Sequence, residues 1–125
     1  MRNDSYGKGR EAEDKAAKWI EKNKGYAVIE RNYRSPSGEI DIIAKDRETV
    51  VFIEVKFRKG TSYGYPAEAV TRIKQERIIK TAMRYIQENC GENIRFDVAE
   101  LIDNKGVTYI RYTENAFEWR QCRCF

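Results

Sequence analysis

The sequence predicts an α/β domain of about five strands and two main helices, on three observations. Residues 11–23, EAEDKAAKWIEKN, repeat apolar side chains at helical spacing. Residues 51–57, VFIEVKF, form a β-branched and aromatic run of strand length, and a second long helical stretch divides three strand-like runs from two more. The order is therefore helix, three strands, helix, two strands.

In the first helix Ala12, Ala16, Trp19 and Ile20 share one stripe, and Gly25 is a natural C-terminal stop. YAVIERNYR (26–34) reads as a strand, SPSG (35–38) as a turn, and EIDIIA (39–44) as the next strand. The polar KDRE (45–48) then leads into TVVFIEVKFR (49–58), a spacing suited to an antiparallel hairpin. GTSYGYP (60–66) is a loop, and residues 67–89 are helical, with Ile79, Ala82, Met83 and Ile86 on one face. Because the pattern blurs at Thr71, a good N-cap, the main helix is expected from about residue 72. CGEN (90–93) closes it, and IRFDVAELI (94–102) and VTYIRYTENAF (107–117) are two strands joined by DNKG (103–106).

A chain of 125 residues suits one domain, spanning 1–125. With 35% charged and 41% hydrophobic residues the composition is globular rather than disordered. The positive excess is local: residues 56–80 hold seven Lys and Arg against two Asp and Glu, whereas residues 1–55 hold eleven of each. Such a segment suits an anionic partner such as a nucleic-acid backbone, although a solvated helix face has the same composition. Cys90, Cys122 and Cys124 have neither zinc spacing nor the count of a disulfide scaffold. The N-terminus lacks an apolar leader, and no run approaches the roughly 18 apolar residues of a membrane span, so a cytoplasmic location is expected. There is no histidine, which excludes His-based acid–base catalysis, Ser-His triads and His-ligated zinc. Chemistry must then run on carboxylates, lysine, arginine, tyrosine or a bound ion.

Charges inside apolar strands mark the candidate site. Glu54 and Lys56 share one face of VFIEVKF, where an unpartnered charge is costly. In the preceding strand Glu39, Asp41 and Ile43 are expected on one face and Ile40, Ile42 and Ala44 on the other. A hairpin between these runs sets Asp41 beside Glu54 and Lys56. Two such carboxylates suit Mg²⁺ or Mn²⁺, which prefer oxygen ligands, with a lysine to orient or deprotonate a water. A salt bridge from Asp41 or Glu54 to Lys56 is the plain structural alternative. One more acid than base, however, leaves a negative charge that a lysine alone does not balance. Glu13 lies at the border of the first helix's apolar stripe, aimed either at the sheet or at solvent near the positive helix end.

Glu13, Asp41 and the Glu54-Val55-Lys56 triplet together resemble the PD-(D/E)xK nucleases, which include restriction-endonuclease-like enzymes and archaeal Holliday-junction resolvases. More narrowly, the blocks GREAEDKAAKWI, RNYRSPSGEIDIIA, VFIEVKFR, YGYPAEAVTRIKQERI and RFDVAEL resemble, in order, those of the YraN-like family of small bacterial proteins, from about residue 7 to 119. The resemblance implies a restriction-endonuclease-like fold with a central mixed sheet. It implies Asp41 and Glu54 as metal ligands for Mg²⁺ or Mn²⁺, Lys56 beside the attacking water, and Glu13 as an outer or second-metal ligand. Two departures stand out: Ile40 replaces the proline of the superfamily motif, and Ala12 stands where the family usually has glycine.

Arg58 and Lys59 follow the triplet directly and are candidate phosphate contacts. Lys74 and Arg77 lie on one side of the second helix with Gln75 adjacent, a phosphate-binding set or a solvated face. Tyr63 and Tyr65 suit base stacking or loop packing, while Tyr109, Tyr112, Phe117 and Trp119 suit core or dimer contacts. The expectation is a metal-dependent DNA endonuclease, with branched or structured DNA suggested by the likeness to resolvases. The alternative is a nucleic-acid-binding protein that keeps the fold without cleaving, and a third class is a protein-docking adaptor. Paired incisions by a single-site domain would require a homodimer.

Overall fold

The computed structural model describes residues 4–59, 70–89 and 93–118, with side chains from Gly9 onward. Tyr63, Tyr65, the start of the second helical stretch at 67–69, all three cysteines and Trp119 lie outside the described residues. Helix α1 spans Asp4–Trp19, starting earlier than its apolar stripe suggests, and its last turn widens into a π-helix over Ile20–Lys24. Gly25, at φ 73°, ends it in the left-handed conformation that glycine adopts without steric cost.

Strands β1 (Ala27–Ser35), β2 (Gly38–Asp46) and β3 (Thr49–Lys59) form an antiparallel meander. After α2 (Arg72–Asn89) the chain returns as β4 (Asn93–Asn104), parallel to β3, and β5 (Val107–Phe117), antiparallel to β4. The sheet is mixed, in the order β1-β2-β3-β4-β5, and the two helices match the expected α/β class. Helix α2 supplies the crossover that a parallel pair requires. Thr71 caps it as expected, its hydroxyl accepting the Lys74 N–H at 3.2 Å. The β4–β5 turn uses Lys105 and Gly106 at φ 54° and 85°, the paired positive values that a two-residue hairpin favours.

Each helix covers one face. Against α1 lie Ile42, Ala44, Val51, Ile53, Ala99 and Leu101, with Ala12, Ala16 and Ile20 from the helix itself. Against α2 lie Ile40, Ile43, Val50, Phe52, Phe96 and Val98, meeting Ile78, Ile79 and Ala82. Phe52 stacks on Phe96 and Phe96 on Phe117, at centroid distances of 5.5 and 5.1 Å. Burying each such ring stabilises the fold by about 1.5–3 kcal/mol. Close approach is also required at Gly38, where a Cβ would stand 3.4 Å from both the Arg77 Cβ and the Thr81 hydroxyl of α2.

The two cores correct one expectation. Ile40 and Ile42 were expected to share a face, yet Ile40 packs under α2 and Ile42 under α1. The alternation slips between them, at Asp41. Asn32, which falls opposite Asp41 in the β1–β2 register, takes a positive φ of 54° at the same level. A strand irregularity of this kind re-aims a side chain, and the one re-aimed here is an acid.

Candidate metal and phosphate site

The slip places Asp41 where carboxylates from both faces reach it. Its Oδ2 accepts the backbone N–H of Val55 at 2.8 Å, which ties β2 to β3 beyond the last paired residues, Ile42 and Ile53. The Glu54 carboxyl, on the α2 side of β3, lies within hydrogen-bonding reach of it. Burial, then the Glu54 charge, push the Asp41 carboxyl up from 3.8 to about 7. From the other face Glu13 of α1 is raised from 4.5 to about 7, first by burial and then by Asp41. The Asn32 side chain and Arg31, 3.8 Å from Glu13, oppose that rise. The helix glutamate therefore points at the sheet end, and three acids from α1, β2 and β3 form one acidic row.

Lys56 does not neutralise it. It is half-buried on the Glu54 side of β3, and among the described residues it makes no ion pair. In place of the alternative bridge from Asp41 or Glu54 to Lys56, Lys74 brings its Nζ from α2 to 3.4 Å from the buried Glu54. Lys74 reaches Glu54 because a long side chain on the covering helix can lie over a buried acid. Lys56 is thereby left available beside the carboxylates.

No three carboxylate or cysteine side chains among the described residues close into a pre-built cage. The donor set still fits Mg²⁺ or Mn²⁺, because such an ion is held by one or two carboxylates and completes its shell with water and phosphate oxygens. Of the two adjacent carboxyls only Glu54 has a lysine in ion-pair contact, Lys74, which leaves Asp41 without one among the described residues.

Residues 12–101, which contain every member of this acidic row, match the family described as "Uncharacterised protein family UPF0102". The chain belongs to the UPF0102 family. It is the group whose block pattern, under the name YraN-like, the sequence resembles. A UPF0102 protein of Persephonella marina is 43% identical over 116 residues, covering 91% of this chain and 96% of the relative. One from Clostridium botulinum strain Loch Maree is 50% identical over 108 residues, covering 82% and 87%. A third, from a Sulfurihydrogenibium species, is 45% identical over 112 residues, covering 88% and 93%.

The remaining predicted contacts of this UPF0102 chain divide between the faces. Arg58 continues the Glu54–Lys56 side and binds Glu100, its Nε 3.0 Å from Oε2. Lys59 is exposed on the α1 side, lining a recess with Glu11, Lys15, Phe57 and Asp103. The two adjacent basic residues thus do not act on one surface, since consecutive strand side chains oppose each other. Gln75 donates its side-chain amide to the Val70 carbonyl at 2.9 Å, tying down the start of α2. Arg77 is exposed on that helix.

Two buried acids escaped the sequence reading. Asp97 and Glu100, both fully buried in β4, occupy opposite faces of one strand. Asp97 is held by Arg95 through two 2.9 Å bonds, by Tyr112 at 2.5 Å and by the Asn115 N–H at 2.9 Å. Arg95 extends the network to Asp46 and Tyr26. The signal was present in RFDVAEL, which breaks an apolar run with acids just as GEIDIIA does.

Proposed function

We propose that this protein is a metal-dependent endonuclease that hydrolyses DNA phosphodiester bonds, with branched or structured DNA as its preferred substrate. The observation that carries the reading is the contact between the Asp41 and Glu54 carboxyls at a strand irregularity, beside a lysine that neither of them binds. A structural ion pair needs one acid for its base, whereas two carboxyls packed together suit a shared cation. The resemblance of Glu13, Asp41, Glu54 and Lys56 to the PD-(D/E)xK pattern supports the same assignment.

In this reading Asp41 and Glu54 hold the cation, and the Val55 N–H keeps the Asp41 carboxyl in position. Mg²⁺ or Mn²⁺, when bound, supplies Lewis acidity at the scissile phosphate and makes a nearby water more acidic. Lys56 orients the attacking water and offsets charge that develops on the phosphate oxygens. Glu13 contributes from α1 as an outer ligand. Lys74, 3.4 Å from Glu54 and otherwise exposed, is positioned to meet a phosphate, with Lys59, Gln75 and Arg77 as further contact candidates. Recognition runs through the backbone and shape of the nucleic acid, because nothing in the sequence forms a base-reading helix or zinc module. Paired incisions require two copies, so a homodimer is expected on DNA; sedimentation of the complex measures it.

The test is cleavage of labelled single-stranded, duplex, flap and four-way-junction DNA with Mg²⁺ or Mn²⁺, comparing the wild type with Asp41→Asn and Lys56→Ala. Metal-dependent cutting abolished by both substitutions is the expected result. Absence of cutting alongside salt-dependent DNA binding would replace the enzyme with a non-catalytic binder of the same fold.

A further inference from the structure

Two guanidiniums from neighbouring strands converge on Glu100. Glu100 is fully buried, and Arg111, its register partner on β5, binds both carboxylate oxygens, Nε to Oε1 at 2.7 Å and Nη2 to Oε2 at 3.1 Å. That bidentate pair already compensates the buried charge. Arg58, on the neighbouring β3, also forms an ion pair with Glu100, its Nε 3.0 Å from Oε2, so one carboxylate meets two guanidiniums. The Arg58 side chain nevertheless keeps 24% of its surface exposed. A guanidinium anchored beside a buried carboxylate and still partly open to solvent can pair with a phosphate.

Its location suits that role. Glu54, Lys56 and Arg58 follow one another at alternate positions of β3 on the same side, so Arg58 lies roughly 7 Å beyond Lys56 along the strand. One strand of a DNA duplex carries a phosphate about every 3.4 Å of axis, so that step corresponds to one or two nucleotides. We propose that Arg58 binds the backbone phosphate adjacent to the scissile one, and that Glu100, anchored by Arg111, is the positioning residue that preorganises it. This subsite rests on the nucleic-acid reading above and deepens it.

The experiment measures DNA affinity against salt concentration, without divalent metal, for the full chain carrying Asp41→Asn, alone and combined with Arg58→Gln or Glu100→Gln. The probes are labelled single-stranded and duplex DNA, and thermal melting is followed in parallel. Arg58→Gln is expected to lower the slope of log affinity against log salt by about 0.7–0.9, one phosphate contact, and to leave melting nearly unchanged because Arg111 still holds Glu100. Glu100→Gln is expected to keep the slope, since the Arg58 charge remains, and to weaken binding several-fold. An unchanged slope with Arg58→Gln, or loss of the folded state in that variant, would make Arg58 a structural partner of Glu100 and overturn the subsite. In that case DNA binding by the parent chain leaves the endonuclease reading standing. A parent chain that binds no DNA overturns both.

Discussion

Replacing Asp41 by Asn should stabilise the metal-free protein above neutral pH. The amide preserves the local hydrogen bonds, its oxygen accepting from Val55 and its NH₂ donating to Glu54, and removes only the ionisation. Burial and Glu54 raise Asp41 from 3.8 to about 7, so between those values the folded state binds a proton that the unfolded state has lost. Stability therefore declines as pH rises through this window, and the contribution is fully lost above about 7. From pH 5 to 7 the limiting slope of about 1.4 kcal/mol per unit sets an upper bound near 3 kcal/mol. Sharing of the proton with Glu54 brings the expected gain down to about 1–2 kcal/mol. For a domain of this size that is about 3–8 °C in Tm. Urea melts of both proteins at pH 5 and pH 8 in EDTA measure it, with the advantage of Asp41→Asn growing toward pH 8. A variant equally destabilised at both pH values would falsify the reading of Asp41 as an uncompensated buried acid, because it would mean that its ionised form is already compensated.

Three further outcomes follow from the same geometry. Glu13→Gln should weaken Mn²⁺ binding by about 10- to 100-fold in calorimetry while leaving the fold intact, as expected of an outer-shell partner. Arg95→Ala should cost about 3–5 kcal/mol in urea unfolding, since it strips the fully buried Asp97 of its only guanidinium among the described residues. Thr71→Ala should cost about 1 kcal/mol by the same measurement, because the Lys74 N–H loses its cap.

Features governed by neighbours a few residues apart were legible in the sequence. The order of elements, the Gly25 stop, the Thr71 cap and the interruption of apolar strands by Asp41, Glu54 and Lys56 all follow from side-chain period, turn chemistry and the cost of burying charge. What the local pattern could not assign was the pairing of those charges. Strict alternation put Asp41 on a face with Ile43, yet the slip beside Asn32 turns it between the faces, toward Glu54 and Glu13. Lys74 rather than Lys56 meets Glu54, and Arg58 meets Glu100, which was not foreseen at all.

The reason is range. Periodicity acts over two to four residues, so it tells which positions are buried and which of them are costly. The partner of a buried charge depends on strand register and on which helix covers the face: Glu100 finds Arg111 through the β4–β5 pairing, and Glu54 finds Lys74 only once α2 has crossed over the sheet. The sequence alone thus determined that acids would be buried in these strands; the tertiary structure decided which of them share one site and which are neutralised elsewhere.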